Sequence, residues 1–129
     1  MADRQKTRVL IVDNETAFVF FVKANLELCG GYEVMTAHSG YDGLRLAKQR
    51  APAVIVLDIL MPAMNGLQIL EKLKSDEATA KIPVIMSTAV NDDEGRREAE
   101  RLGAAAYLVK PFGTRDLISM IDGCLGRQV

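Results

Sequence analysis

Four short apolar runs in this 129-residue chain end in residues that could do chemistry. Val9-Leu10-Ile11-Val12 runs into Asp13-Asn14, and Val54-Ile55-Val56-Leu57 runs into Asp58. Val84-Ile85-Met86 leads to Ser87-Thr88, and Ala105 to Val109 leads to Lys110-Pro111. Polar residues commonly follow buried strands, so one such end means little. Two carboxylates, a carboxamide, a hydroxyl and an ammonium delivered together point to a site. Oxygen donors on acidic strand ends suit a hard cation; Mg²⁺ that keeps several waters fits best, with Mn²⁺ able to substitute. A hydroxyl and an ammonium beside that cation suit the non-bridging oxygens of a phosphoryl group, over which transfer spreads charge. Asp58 then reads as a nucleophile that forms an acyl phosphate. Neither a Gly-x-x-x-x-Gly-Lys-Ser/Thr loop nor a Gly-x-Gly-x-x-Gly loop occurs, so the phosphoryl group must come from a donor and not from a bound nucleotide.

The elements that must carry these ends alternate along the chain. Short runs that are apolar throughout and rich in β-branched residues read as strands buried on both faces, as in a parallel sheet. Thr16 to Cys29 reads as a greasy helix stopped by Gly30-Gly31, and Tyr32 to Ala37 as a weaker strand. Ser39 to Arg50 follows as a helix with Leu44, Leu46 and Ala47 turned inward. Met61-Pro62 and Asn65-Gly66 mark a loop, after which Leu67 to Lys74 returns to helical spacing. Asn91 with Glu94 resembles a capping box opening a charged helix that Gly103 ends. Thr114 is placed to cap a last helix with Leu117, Ile118, Ile121 and Leu125 on its inner face. Five strands alternating with five helices predict an α/β chain with a doubly wound, five-stranded parallel sheet and right-handed crossovers. The order 2-1-3-4-5 is a common solution at this size, and its site lies beyond the carboxyl ends of strands one and three, where the order reverses. One domain is expected over 1–129, with an ordered core from about 7 to 126.

Composition removes several function classes. Hydrophobic residues make up 49 % and charged residues 26 % of the chain, an ordinary globular balance. Sixteen Lys and Arg against seventeen Asp and Glu argue against a dedicated nucleic-acid binder. No apolar run reaches the length of a membrane span, and the first residues lack an apolar signal core, so a cytoplasmic location is expected. One His and two Cys argue against a structural zinc site, and Cys29 and Cys124 read as reduced, core-type thiols.

Together these residues resemble the receiver domain of two-component response regulators, of the chemotaxis-regulator kind, over nearly the whole chain. Asp13-Asn14 matches the acid pair, Asp58 with Met61-Pro62, Met64 and Asn65-Gly66 the phosphoacceptor loop, and Thr88-Ala89 the switch hydroxyl. Lys110-Pro111-Phe112 matches the lysine motif, and Gly103-Ala104 with Tyr107 completes the fifth-strand pattern. The resemblance implies a flavodoxin-like, three-layer sandwich and a phospho-accepting signalling domain, not a metabolic enzyme. Asp58 would take a phosphoryl group from a phosphohistidine on a histidine kinase or histidine phosphotransfer protein. Asp13, Asn14, Asp58 and the backbone carbonyl of Leu60 would surround Mg²⁺, Asp13 through water. Lys110 would pair with Asp58 at rest and with the phosphoryl oxygens afterwards. Thr88 would swing toward the phosphoryl group and Tyr107 would rotate inward. The Lys110-Pro111 peptide would be cis. A protein target would bind the face made by the fourth helix, fifth strand and fifth helix, with no direct nucleic-acid or membrane contact, the chain being a monomer or a weak phosphorylation-dependent dimer.

Asn14 departs from the pattern, since the family uses a second acid there. An amide oxygen can still bind Mg²⁺, but a negative charge is gone, so weaker metal affinity is expected. Glu15 is adjacent, although side-chain direction argues against its compensating. The substitution leaves open a pseudo-receiver that signals by contacts alone. An aspartyl-phosphate phosphohydrolase shares the Asp, Thr and Lys logic but expects an Asp-x-Asp pair on the first strand, which Asp13-Asn14-Glu15 does not supply. Leu60 and Val90 are apolar where the family places groups that orient attacking water, which predicts slow self-dephosphorylation. Phe18 to Val22 is too apolar to bury on one side and leaves surface either for docking a histidine-bearing helical partner or for a wide core stripe. Asn91 to Arg101 reads as a solvated helix face or as part of an output surface, His38 as a surface residue, and Met86 and Met120 as core filler. The chain ends just after the last helix, so it is either a stand-alone receiver acting through partners or a piece of a longer regulator or hybrid kinase.

Overall fold

A computed structural model describes residues 6–126. The elements run β1 (Arg8–Val12), α1 (Thr16–Asn25), β2 (Glu33–Ala37), α2 (Gly40–Arg50), β3 (Val54–Asp58), α3 (Gly66–Ser75), β4 (Val84–Thr88), α4 (Asp93–Arg101), β5 (Ala106–Val109) and α5 (Thr114–Cys124). All strand pairs are parallel and the order is β2-β1-β3-β4-β5, as predicted. Every residue of β3 and β4 is buried, which is why their sequences carry no alternation of apolar and polar residues.

Side chains alternate across the sheet and feed two cores. Leu10, Val12, Leu57 and Met86 pack with Ala47 of α2, Ile69 and Leu70 of α3 and Ala99 of α4. Val9, Ile11, Val56 and Ile85 pack on the other side with Val19 of α1 and Leu117 and Ile121 of α5. The same alternation directs the site. Asp13, Asp58 and Lys110 each lie two residues beyond a side chain of the α1/α5 side (Ile11, Val56 and Leu108), whereas Thr88 follows Met86 on the α2/α3/α4 side.

Several local expectations shift. The first helix is regular only to Asn25; Leu26–Gly30 widen into a π-helical turn, and Gly31 closes it in the left-handed region at φ 68°. Tyr32 tucks under that turn, fully buried, and its hydroxyl donates to Asp122 on α5. The cap of α4 is Asp92 and not Asn91: its Oδ1 accepts the Gly95 N–H at 2.9 Å, because the capping oxygen must come from the residue just before the first helical one. Thr114 is the first residue inside α5, with Gly113 at the cap position and no side-chain bond there. Cys29 is exposed, not a core thiol, and Cys124 is half-buried. His38 is exposed, Met86 fully buried and Met120 packed at the edge of the α1/α5 core.

Candidate functional site

Asp58 closes β3 with only 4 % of its surface exposed. The loop after it is held tightly. The Leu60 N–H donates to Asp58 Oδ1 at 3.3 Å, and the Gly66 N–H donates to the Ile59 carbonyl at 2.8 Å. A Cβ on Gly66 would collide with the backbone oxygen of Asp58, so only glycine lets α3 begin this close to β3. Asn65 completes the joint with a capping box: its side chain accepts the Gln68 N–H at 3.0 Å, and the Gln68 side chain accepts the Asn65 N–H at 3.0 Å.

Beside Asp58 stands Asp13, 1 % exposed, whose Oδ1 accepts the Glu15 N–H at 2.9 Å. Lys110 reaches in from the end of β5, its own N–H held by the Thr88 carbonyl at 2.8 Å and its peptide to Pro111 cis. Its Nζ lies 2.8 Å from Asp13 Oδ2 and 2.6 Å from Glu15 Oε1, but 3.7 Å from Asp58 Oδ2. The ammonium also sits 4.0 Å over the Phe18 ring, which meets Phe112 edge-on at 5.8 Å. The lysine that was expected on Asp58 at rest therefore leans toward Asp13 and Glu15, and Glu15, expected to point elsewhere, joins the cluster. Asn14 is exposed at the same strand end.

The electrostatics follow from three carboxylates sharing one ammonium. Burial, then the charge on Asp13, push the Asp58 carboxyl up to about 6, against the pull of Lys110 and the Leu60 N–H. At neutral pH it is still mostly ionised. Burial works against the Lys110 ammonium, but its hydrogen bonds to Asp13 and Glu15 outweigh that and hold it above the usual lysine range. One carboxylate oxygen each of Asp13, Glu15 and Asp58 lie within 4.8 Å of one another. This all-oxygen set, with negative charge to spare, fits a hard divalent cation.

Thr88 is fully buried, and its Oγ1 accepts the Val90 N–H at 3.2 Å. The Val90 carbonyl in turn accepts the Tyr107 hydroxyl at 3.0 Å, and the Arg96 guanidinium lies 4.6 Å over the Tyr107 ring. A chain of contacts thus leads from the end of β4 to α4. Ser87, opposite Asp58 in the register, has a buried hydroxyl with no hydrogen-bond partner.

The family model for the response regulator receiver domain matches residues 9–122. The chain belongs to that family. It is 37 % identical over 118 residues to protein PilH of Pseudomonas aeruginosa, covering 92 % of this chain and 97 % of that one. It is also 37 % identical over 120 residues to the DNA-binding dual master transcriptional regulator RpaA of Synechocystis, covering 93 % of this chain but only 49 % of RpaA. The chain therefore spans about half the length of such transcriptional regulators. Among solved structures, a CheY-like receiver domain protein from Methanospirillum hungatei superposes with a TM-score of 0.88 at 33 % identity over 95 % of both chains. Chemotaxis protein CheY4 of Vibrio cholerae superposes with a TM-score of 0.88 at 29 % identity over 93 % of this chain and 99 % of that one. As a receiver it is a signalling domain of two-component systems, and no helix among the described residues is long and apolar enough to cross a membrane.

Within this receiver, Asp13, Asp58 and Lys110 meet at one edge of the sheet with Asn14 beside them, while Thr88 and Tyr107 lead away toward α4. Sequence reasoning undervalued Glu15 and gave Arg96 no individual role. The signal for Glu15 was its spacing from Asp13: two residues apart in extended chain put both side chains on one side, and Glu15 is extended at φ −85° and ψ 99°. For Arg96, eleven positions before Tyr107, nothing local announces the contact.

Proposed function

We propose that this chain accepts a phosphoryl group from a phosphohistidine onto Asp58 and relays the change to its α4–β5–α5 face. The observation that carries the reading is a buried carboxylate, Asp58, bordered by Asp13 and Lys110 at the carboxyl edge of the sheet. An Asp58 oxygen attacks phosphorus; the P–N bond breaks as the O–P bond forms, and the imidazole leaves with the electron pair and takes up a proton. Asp13, Asn14, Asp58 and the Leu60 carbonyl are the groups to hold Mg²⁺, which when bound offsets charge on the phosphoryl oxygens. Lys110 moves from Asp13 and Glu15 to a phosphoryl oxygen. Thr88 turns its hydroxyl to another, dropping the Val90 N–H and loosening the turn whose carbonyl holds Tyr107.

The donor's approach is supported by a groove of about 300 Å³ between α1 and the start of α5, lined by Phe18, Phe21, Val22, Lys110, Pro111 and Leu117. Phe20 and Phe21 on α1 are 70 % and 66 % exposed, an apolar surface that a helical, histidine-bearing partner would cover. A histidine kinase or phosphotransfer protein fills that role, in the cytoplasm. Output goes to a protein partner and not to nucleic acid directly. The chain turns over its own phosphoryl group slowly at most.

Intact mass after incubation with acetyl phosphate, with and without Mg²⁺, tests the proposal. A Mg²⁺-dependent gain of one phosphoryl group that Asp58→Asn abolishes is expected. No gain from acetyl phosphate or from a phosphorylated histidine donor would establish a pseudo-receiver instead.

A further inference from the structure

Lys110 is not shared evenly among its three carboxylates. Its Nζ is 2.6 Å from Glu15 and 2.8 Å from Asp13, but 3.7 Å from Asp58. We propose that Glu15 supplies the carboxylate that Asn14 withdraws from the cation site, and that a divalent cation and Lys110 compete for it, so that cation entry frees Lys110 for Asp58. The inference rests on the Mg²⁺ reading above and assigns to Glu15 a part that the acid pair does not give it.

Three carboxylates within 4.8 Å face one ammonium, which leaves two negative charges over. Asn14 brings a dipole where a second acid would bring a full charge, so Glu15 is the group left to supply it. Each carboxylate attracts a divalent cation twice as strongly as it attracts an ammonium at the same distance. With a cation bound, Asp13 and Glu15 would turn their oxygens to it, and Lys110 would lose both partners and be repelled by the added positive charge. Lys110, 10 % exposed and resting on the Phe18 ring, stays within the pocket, where Asp58 is its remaining partner. Glu15, with 60 % of its side chain exposed, has room to make the exchange.

Mg²⁺ binding measured by calorimetry on the unphosphorylated chain tests this without any activity readout. Glu15→Gln is expected to weaken Mg²⁺ binding at least about tenfold, the lower end of what losing even a group behind the ligands costs. Glu15→Asp, which keeps the charge, should fall between that variant and the native chain. Asn14→Ala should cost less than Glu15→Gln, and Lys110→Met should bind Mg²⁺ more tightly because the competing ammonium is gone. In the native chain, the amide resonances of Lys110 and Phe112 should shift on adding Mg²⁺, and shift less in Glu15→Gln. Native-like affinity in Glu15→Gln, or a larger loss in Asn14→Ala, would overturn the inference while leaving the cation site standing. A native chain that binds no Mg²⁺ would overturn both.

Discussion

The acidic edge and the α4–β5 face are built from opposite materials. At the edge, Lys110 meets the buried Asp13 at 2.8 Å and the exposed Glu15 at 2.6 Å, and the loop after Asp58 is pinned by a glycine that admits no substitute. On the α4–β5 face, Tyr107 is held by one hydrogen bond to a backbone carbonyl and by an arginine over its ring. Around it α4 carries Asp93, Glu94, Arg97, Glu100 and Arg101 into solvent, where ion pairs contribute little. A small chemical event can thus be read at a distance, because the reacting end is charged and closely held while the reading end is held by interactions weak enough to exchange.

The stiff end should break hardest. Gly66→Ala forces a Cβ against the Asp58 carbonyl and should cost about 3 kcal/mol in urea denaturation; an unchanged midpoint would show that the loop yields. Asp58→Asn should act the other way. The folded carboxyl is pushed from 3.8 to about 6, so as far as this group is concerned stability is full below about pH 4 and falls as pH rises through about 6. In chelator at pH 7.5 the asparagine variant should gain about 3 kcal/mol, and most of the gain should vanish near pH 4. A gain independent of pH would point to packing instead.

The sheet, its order and the residues at its edge were legible because burial on both faces writes continuous apolar runs, and each run stops where the site begins. Glu15 was legible only through its two-residue spacing from Asp13, and the chemistry expected of Asn14 drew attention away from it. The unequal sharing of Lys110 was not legible, since it depends on distances between the ends of β1, β3 and β5. Nor was the π-helical turn at Leu26–Gly30, which tertiary contact with Tyr32 accompanies and no local signal marks.

Smaller effects sharpen the contrast. Leu60, 55 % exposed above Asp58, offers water no hydrogen bond, so Leu60→Asn should hasten loss of the phosphoryl group several-fold, equivalent to about 1 kcal/mol; an unchanged decay would make Leu60 a packing residue only. At the soft end, Tyr107→Phe removes the bond to Val90 and Arg96→Ala the cation over the ring, each costing about 0.5–1 kcal/mol in thermal denaturation. Losses above that range in either variant would mean that the reading end is as rigid as the reacting one.

Among the described residues, the two cores lie on opposite faces of the sheet. Val19, Leu117 and Ile121 belong to one side, and Ile69, Leu70 and Ala99 to the other. Substitutions on α1 and on α4 share no side-chain neighbour in these cores, and their effects should simply add. The surface that α1 offers a donor can therefore drift without repacking α4, whereas α5, which lines the donor's groove and also belongs to the target face, must answer to both partners at once.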